Sequence, residues 1–386
     1  MGADHAYRPE PRDATRMVVP VNPLDRHDLR HRVDAALSAF LDRQGAALIA
    51  MSPELAPLPT ALREFLDGGK LMRPGFCYWG WRGVVGKTDA ADDPALEAAA
   101  VRAAASLELL QASALIHDDY MDDSDTRRGM PAIHRRFAAA HREAAWEGSA
   151  ARFGAAAAIL LGDVCLTWCD EMFAGCGLPS ARIAAARPYF DVMRTEVMAG
   201  QYLDVLAQAH GLDEPERAAQ RAQTVIRFKS AKYTIERPLH VGAMLAGGTP
   251  DVIAAYSAYG LPLGEAFQLR DDVLGVFGDP AATGKPAGDD LREGKQTLLV
   301  ALAAARADSP GAIKTLRAEL GNPELDAAGV TELQEIIRST GALDDVETRI
   351  TALTREATAA VDAAPIAEEA KGVLRELAVM ATARKK

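Results

Sequence analysis

Apolar residues return at helical spacing from the first ordered-looking stretch: Val33, Leu37, Phe40 and Leu41 fall at i, i+4, i+7 and i+8 after the Asn22-Pro23 punctuation. The same period runs through the Ala-rich segments AAAVRAAASLELLQASALIH and AARFGAAAAILLGDVCLTWCDEMF, built from strong helix formers with little β-branched enrichment. The alternation of a half-buried strand is hard to find. Gly/Pro clusters at Gly129-Pro131, Gly175-Pro179, Gly247-Pro250 and Asp279-Gly288 interrupt the helices without making a linker. The pattern predicts an all-α fold, a single-domain helical bundle over residues 26–386 behind a loose N-terminal tail, residues 1–25. No repeat at solenoid periods is visible.

Composition narrows the classes. Of 386 residues 49% are apolar and 25% charged, the balance of a globular chain with a large core. Lys and Arg number 43 against 54 Asp and Glu, a net charge of −11 that opposes a nucleic-acid partner. The uncharged run Phe153 to Gly162 ends at Asp163, about half a bilayer span, so no transmembrane segment is expected. The opening residues mix both charge signs without an apolar core, which reads as cytoplasmic rather than secreted. Four cysteines (Cys77, Cys165, Cys169, Cys176) form no CxxC pair and read as reduced core thiols.

Some apparent motifs fail on spacing. GVVGKT, Gly83 to Thr88, has Trp81 where a phosphate-binding P-loop needs its first glycine, and Gly284-Lys285 and Gly294-Lys295 are followed by Pro286 and Gln296. HExxH and zinc-type Cys/His spacings are absent.

LIHDDYMDDSDTRRGMP, Leu115 to Pro131, carries more. On a continuing helix Asp118 and Asp122 stand one turn apart on one face, with Asp119 about 100° round. Like charges so placed weaken a helix unless something outside compensates, and a hard divalent cation does so. Arg127 and Arg128 follow within ten residues, guanidiniums that fork onto oxyanions. Together these are the parts of a diphosphate site. His117 beside the acids reads as a structural, locally bonded histidine. A second pair, Asp271 and Asp272, sits in FQLRDDVLGVFGDP among Phe267, Leu269, Val273, Leu274 and Val276. Carboxylates in so apolar a segment need a positive counterpart. Gln268 lies one turn before Asp272. Two carboxylate banks from distant helices can thus face each other across a cavity and share Mg²⁺ and a diphosphate.

GGKLMRP (Gly68 to Pro74), LIHDDYMDDSDTRRGMP, GQYLD (Gly200 to Asp204), FKSAKYT (Phe228 to Thr234), FQLRDDVLGVFGD and TGKPAGDDLREGKQT (Thr283 to Thr297) together resemble the trans-isoprenyl diphosphate synthases, the polyprenyl synthetases, in family order. The resemblance implies a helical bundle around a deep cavity, a homodimer, that condenses isopentenyl diphosphate with an allylic diphosphate using three Mg²⁺ ions. It implies that Asp118, Asp119, Asp122, Asp271 and Asp272 bind metal. Arg127, Lys229, Lys285 and Lys295 match contacts to the allylic diphosphate, with Ser230 where threonine is common. Lys70, Arg73 and Arg128 match the isopentenyl diphosphate pocket, Gln111 stands where many members have histidine, and Phe267 and Gln268 match the FQ before the second motif. In the family the departing diphosphate itself takes the proton, so no catalytic histidine is expected.

Gly275 stands where the family usually has a third acid in the second motif. DDVLGVFGD thereby also resembles the metal motif of class I terpene cyclases, the alternative reading, although GGKLMRP and RRGMP argue for a second diphosphate that a cyclase does not use. A catalytically silent partner subunit of a synthase is the non-enzymatic alternative, disfavoured by the intact first motif. For product length, the family blocks chain growth with large residues four and five positions before the first aspartate, and here these are the small Ala114 and Ser113. An ideal wheel puts Ala114 on the aspartate face and Ser113 off it. Leu110 and Leu107, about 12 and 16 Å down the helix, then offer the next floor, which predicts a C20 product, geranylgeranyl diphosphate.

Overall fold

The computed structural model describes residues 23–88, 93–212, 214–279, 288–307 and 309–382. Lys285 and nearly all of the expected tail lie outside the described residues. In chain order the helices are α1 (Leu29–Met51), α2 (Pro57–Leu66), α3 (Met72–Val85), α4 (Pro94–Met121), α5 (Ile133–Glu143), α6 (Ala150–Ala174), α7 (Ser180–His210), α8 (Pro215–Val225), a π-helix (Ile226–Glu236), α9 (Arg237–Ala246) and α10 (Pro250–Phe277). After these come α11 (Asp289–Arg292), α12 (Leu298–Arg306), α13 (Pro310–Glu319), α14 (Ala327–Ser339), α15 (Ala342–Ala363) and α16 (Glu368–Thr382). The all-α expectation holds, with one addition that periodicity missed. Thr126–Arg127 (β1) and Met130–Pro131 (β2) pair antiparallel, Arg127 opposite Met130. The two turn residues, Arg128 and Gly129, sit at φ of 53° and 76°. Positive φ at both central positions is the hairpin-compatible twist.

α4 forms the middle of the bundle. The Asp93 carboxylate accepts the backbone N–H groups of Ala95 and Leu96, and Pro94 occupies the first helical position, where no N–H is needed. From Ala103 to Leu110 every residue is buried, against α1, α3 and α6 among others. By length and composition both α4 and α6 are apolar enough to cross a membrane, contrary to the expectation from uncharged runs alone. For α4 burial in the core explains the composition, since 78% of its most apolar window is buried; α6 differs, at 28%. Its Ile159 and Leu160 are exposed. The four cysteines are free and buried, as expected of core thiols.

The apolar core forms two clusters, and α10 belongs to both. Its Tyr256, Tyr259 and Leu263 join the cluster around α3, α4 and α9, whereas Val273 and Val276 join one with α12, α14 and α15. The clusters meet on α10 at Ala266 and Phe267, and the second acidic pair sits about one turn beyond, between Leu269 and Val273 of the second cluster. Burial of Tyr256 and Tyr259 is affordable because each hydroxyl donates to a carbonyl, Gly80 at 3.1 Å and Leu374 at 2.8 Å.

Candidate active site

At the C-terminal end of α4 the first acids meet three other elements. Lys229 of the π-helix donates to Asp118 Oδ1 at 3.0 Å and to Asp204 Oδ2 of α7 at 2.7 Å. Gln201, one turn before Asp204, donates to Asp118 Oδ1 at 2.7 Å. The β1–β2 hairpin turns Arg127 back onto α4, where its Nε donates to Asp119 Oδ1 at 2.7 Å and a second guanidinium nitrogen joins the same oxygen. Burial works to raise the Asp118 pKa, but Lys229, Lys295 and Arg127 outweigh it and hold that carboxylate below its usual range. Asp119 and Asp122 go the other way. Burial, reinforced by the neighbouring Asp118 charge, raises both, Asp122 to about 6.

Lys229 is placed by close backbone packing. A Cβ on Gly200 of α7 would fall on the Lys229 backbone, and one on Gly264 of α10 would lie 2.5 Å from Ala231 Cα. The π-helix is thus clamped between two helices at positions only glycine fits, and a π-turn re-aims its side chains relative to an α-helix. Gly264→Ala is expected to cost about 1–3 kcal/mol by overpacking. Gly372→Ala on α16, where nothing lies within 4 Å, should be neutral or slightly stabilising. Urea denaturation checks this, and a Gly264→Ala variant as stable as wild type would contradict the clamp.

The second bank lies on α10 about one turn past the junction of the two core clusters. Gln268 donates to Asp272 Oδ1 at 2.8 Å. Burial, with the Asp290 and Asp271 charges behind it, raises Asp272 to about 8. Lys295 lies 2.6 Å from Glu293 and 3.7 Å from Asp290, and its charge acts on Asp118, Asp122 and Asp272 alike. The Lys295 charge thus reaches carboxylates of both banks. Gly275, the missing acid, has a structural counterpart: a Cβ there would fall on the Asp290 carboxylate, so an acid from α11 fills the space. Ser230 is half-buried beside Lys229, and Phe267 is buried beside Gln268.

A separate basic group gathers around Glu108, which is 3% exposed. Burial raises its pKa against the pull of Arg73 and Arg128. A Cβ on Gly69 would lie 3.4 Å from both Arg128 and Glu108, so GGKLMRP and RRGMP meet here. Arg128 also donates to the carbonyls of Phe65 and Asp67, at 3.1 and 3.3 Å. Arg73 donates to Thr234 Oγ1 at 2.9 Å, Gln111 accepts from the Tyr233 hydroxyl at 2.9 Å, and Lys70 is exposed next to Gly69. His117 is structural, as expected: Nε2 donates to the Ile159 carbonyl at 3.1 Å, in space that Gly162 leaves open.

Sequence reasoning missed Gln201, Asp204, Glu108, Tyr233 and Asp290. GQYLD and FKSAKYT contained three of them, but single residues within those motifs carried no spacing signal. For Glu108 the signal was available: an acid in the otherwise apolar run ASLELLQ must be buried against a cation. Down α4 from the acids, Leu115, Ala114 and Gln111 are partly exposed and share one face with Asp118 and Asp122, within about 100° on the helical wheel. Leu107 continues that face and is fully buried. Ser113, also fully buried, is off the accessible stripe, as is Leu110.

The donor set suits Mg²⁺. Asp119 Oδ2 and Asp122 Oδ1 are buried without a hydrogen-bond partner, hard oxygens left for a cation. Among the described residues no three acids converge into a ready-made cage. Mg²⁺ does not need one, because it binds through one or two carboxylates together with substrate phosphates and water.

The polyprenyl synthetase profile matches residues 56–337. A short chain isoprenyl diphosphate synthase of Methanothermobacter thermautotrophicus is 34% identical over 62% of this chain and 64% of its own length, under two thirds of that relative. The heptaprenyl diphosphate synthase component 2 of Geobacillus stearothermophilus is 31% identical over 86% of this chain and 91% of its own length. The geranylgeranyl pyrophosphate synthase of Corynebacterium glutamicum, solved with isoprenyl diphosphate and magnesium, superposes with a TM-score of 0.87 at 43% identity, over 92% of this chain and 99% of that one.

Proposed function

The chain belongs to the polyprenyl synthetase family, and from that premise we propose that it condenses isopentenyl diphosphate with an allylic diphosphate in a Mg²⁺-dependent reaction. The observation that carries this reading is the pairing of two separate anion sites: carboxylate banks joined by Lys295, and the basic group around Glu108. A synthase holds two diphosphates, and the second group has the charge and forked donors for one. The class I cyclase reading, which leaves Arg73 and Arg128 without a task, is not favoured.

In this reading Asp118, Asp119, Asp122, Asp271 and Asp272 hold Mg²⁺. Bound there, Mg²⁺ neutralises charge on the leaving diphosphate. Lys229, Arg127 and Lys295 are already ionised and fixed by carboxylates, so they meet the developing charge without reorganising. The allylic C–O bond breaks, its electron pair leaves with diphosphate, the isopentenyl double bond forms the new C–C bond, and the proton released goes to the departed diphosphate. The apolar wall below the acids keeps water from the cation. We place the product at C20, as for the geranylgeranyl pyrophosphate synthase neighbour, on the strength of the α4 stripe that runs past small Ala114 to buried Leu107. Residues 26–386 act as one catalytic domain. The exposed apolar side of α6, with Phe153, Ile159 and Leu160, supports a homodimer, and sedimentation of the purified chain separates this from the partner-subunit arrangement of a two-component synthase.

Arg73→Ala and Lys70→Ala are expected to raise KM for isopentenyl diphosphate roughly 10- to 100-fold, with a much smaller change for the allylic substrate, since each removes a charge-assisted contact to one diphosphate only. Steady-state kinetics with each substrate varied in turn checks this. Conversion of geranylgeranyl diphosphate to a hydrocarbon without isopentenyl diphosphate would overturn the synthase reading.

A further inference from the structure

Resting on the isopentenyl diphosphate pocket proposed above, we propose that Tyr233 is a positioning residue that turns the Gln111 amide so that its NH₂ group, and not its carbonyl, meets the incoming diphosphate. A glutamine facing an anion is ambiguous. Its two ends have nearly the same shape, yet NH₂ donates to a phosphate oxygen and the carbonyl repels it. A histidine at this position would have no carbonyl end to present. Gln111 therefore needs a partner that selects one orientation.

Tyr233 supplies the selection. Its hydroxyl donates to Gln111 Oε1 at 2.9 Å, which leaves the NH₂ group on the other side of the amide. The Arg73 guanidinium lies 4.1 Å over the Tyr233 ring and holds that ring in place, with the hydroxyl proton on Gln111. Burial raises the phenol pKa, which keeps that proton in place. The ring is 2% exposed and belongs to the clamped π-helix, so it does not swing away. Arg73 is held from a second side by Thr234 Oγ1 at 2.9 Å. Arg73 thus packs the Tyr233 ring and Tyr233 fixes Gln111, with the amide N–H groups left for ligand.

Tyr233→Phe keeps the ring under Arg73 and the packing of the π-helix and removes only the hydroxyl. KM for isopentenyl diphosphate is expected to rise roughly tenfold, with kcat and the allylic KM within about twofold, because the amide is free to present its carbonyl. Calorimetric titration with isopentenyl diphosphate should show the same weakening. In a Gln111→His background, where no amide remains to be turned, Tyr233→Phe should change that KM by less than about twofold. An equal rise in both KM values, or the same penalty with histidine at 111, would assign Tyr233 to packing and overturn the proposal. Arg73→Ala separates the two levels of inference. If it raises the isopentenyl diphosphate KM while Tyr233→Phe does not, the pocket stands and the positioning role falls; if neither variant raises it, both fall.

Discussion

Asp118→Ala is expected to lower turnover by two orders of magnitude or more while the fold persists. Asp118 is the one acid of the first bank held below its usual pKa, by Lys229, Lys295 and Arg127, so it is the carboxylate most firmly ionised for binding a cation. Removing a group that acts on the charge developing in the transition state costs at least about 10²-fold in rate. Stability should survive for a specific reason. Loss of one partner from a buried ion pair is severe when it strands a charge, but Lys229 retains Asp204 at 2.7 Å and Arg127 retains Asp119. Far-UV circular dichroism and the thermal midpoint should therefore stay near wild type. Asp118→Asn, which keeps the shape and an oxygen acceptor, should lose turnover almost as fully, because the charge and not the hydrogen bond is what the cation needs. Activity within about threefold of wild type in either variant would reject the metal assignment.

What the sequence revealed depended on whether the signal was local. The first bank was legible because Asp118, Asp119 and Asp122 lie on one helix, where spacing converts directly into a shared face. α4 itself was legible from period and from the Asp93-Pro94 start. The arrangement of Lys229 was not, because the π-helix owes its place to the absence of side chains on Gly200 and Gly264, in helices that flank it on both sides in sequence. No window of the chain contains that fit. The hairpin escaped for a different reason: two residues per strand show no alternation, and its turn puts the non-glycine Arg128 at positive φ. Yet this turn separates Arg127, on Asp119, from Arg128, beside Glu108, so adjacent arginines join two different side-chain clusters. The absent third acid at Gly275 was visible in sequence, but its replacement was not, since Asp290 reaches the same space from α11.

Ala114→Phe is expected to shorten the product toward C15 while total condensation stays within roughly tenfold of wild type. Ala114 lies on the accessible stripe of α4 about 6 Å below Asp118, so a ring there occupies the path of the chain and touches neither metal bank. Ser113 gives the control. It is adjacent in sequence but fully buried off that stripe. Ser113→Phe should therefore overpack the bundle and cost about 1–3 kcal/mol of stability without a matched shift in product. Leu107 closes the stripe about 16 Å below Asp118, and Leu107→Ala should lengthen the product by removing that floor. Leu110 lies about 80° round the helix from Asp118, so Leu110→Ala should leave length almost unchanged and act on stability alone. Chromatographic sizing of products from labelled isopentenyl diphosphate distinguishes these cases. If Ser113→Phe shortens the product and Ala114→Phe does not, the chain runs along a different face of α4, and the C20 assignment loses the geometry that supports it.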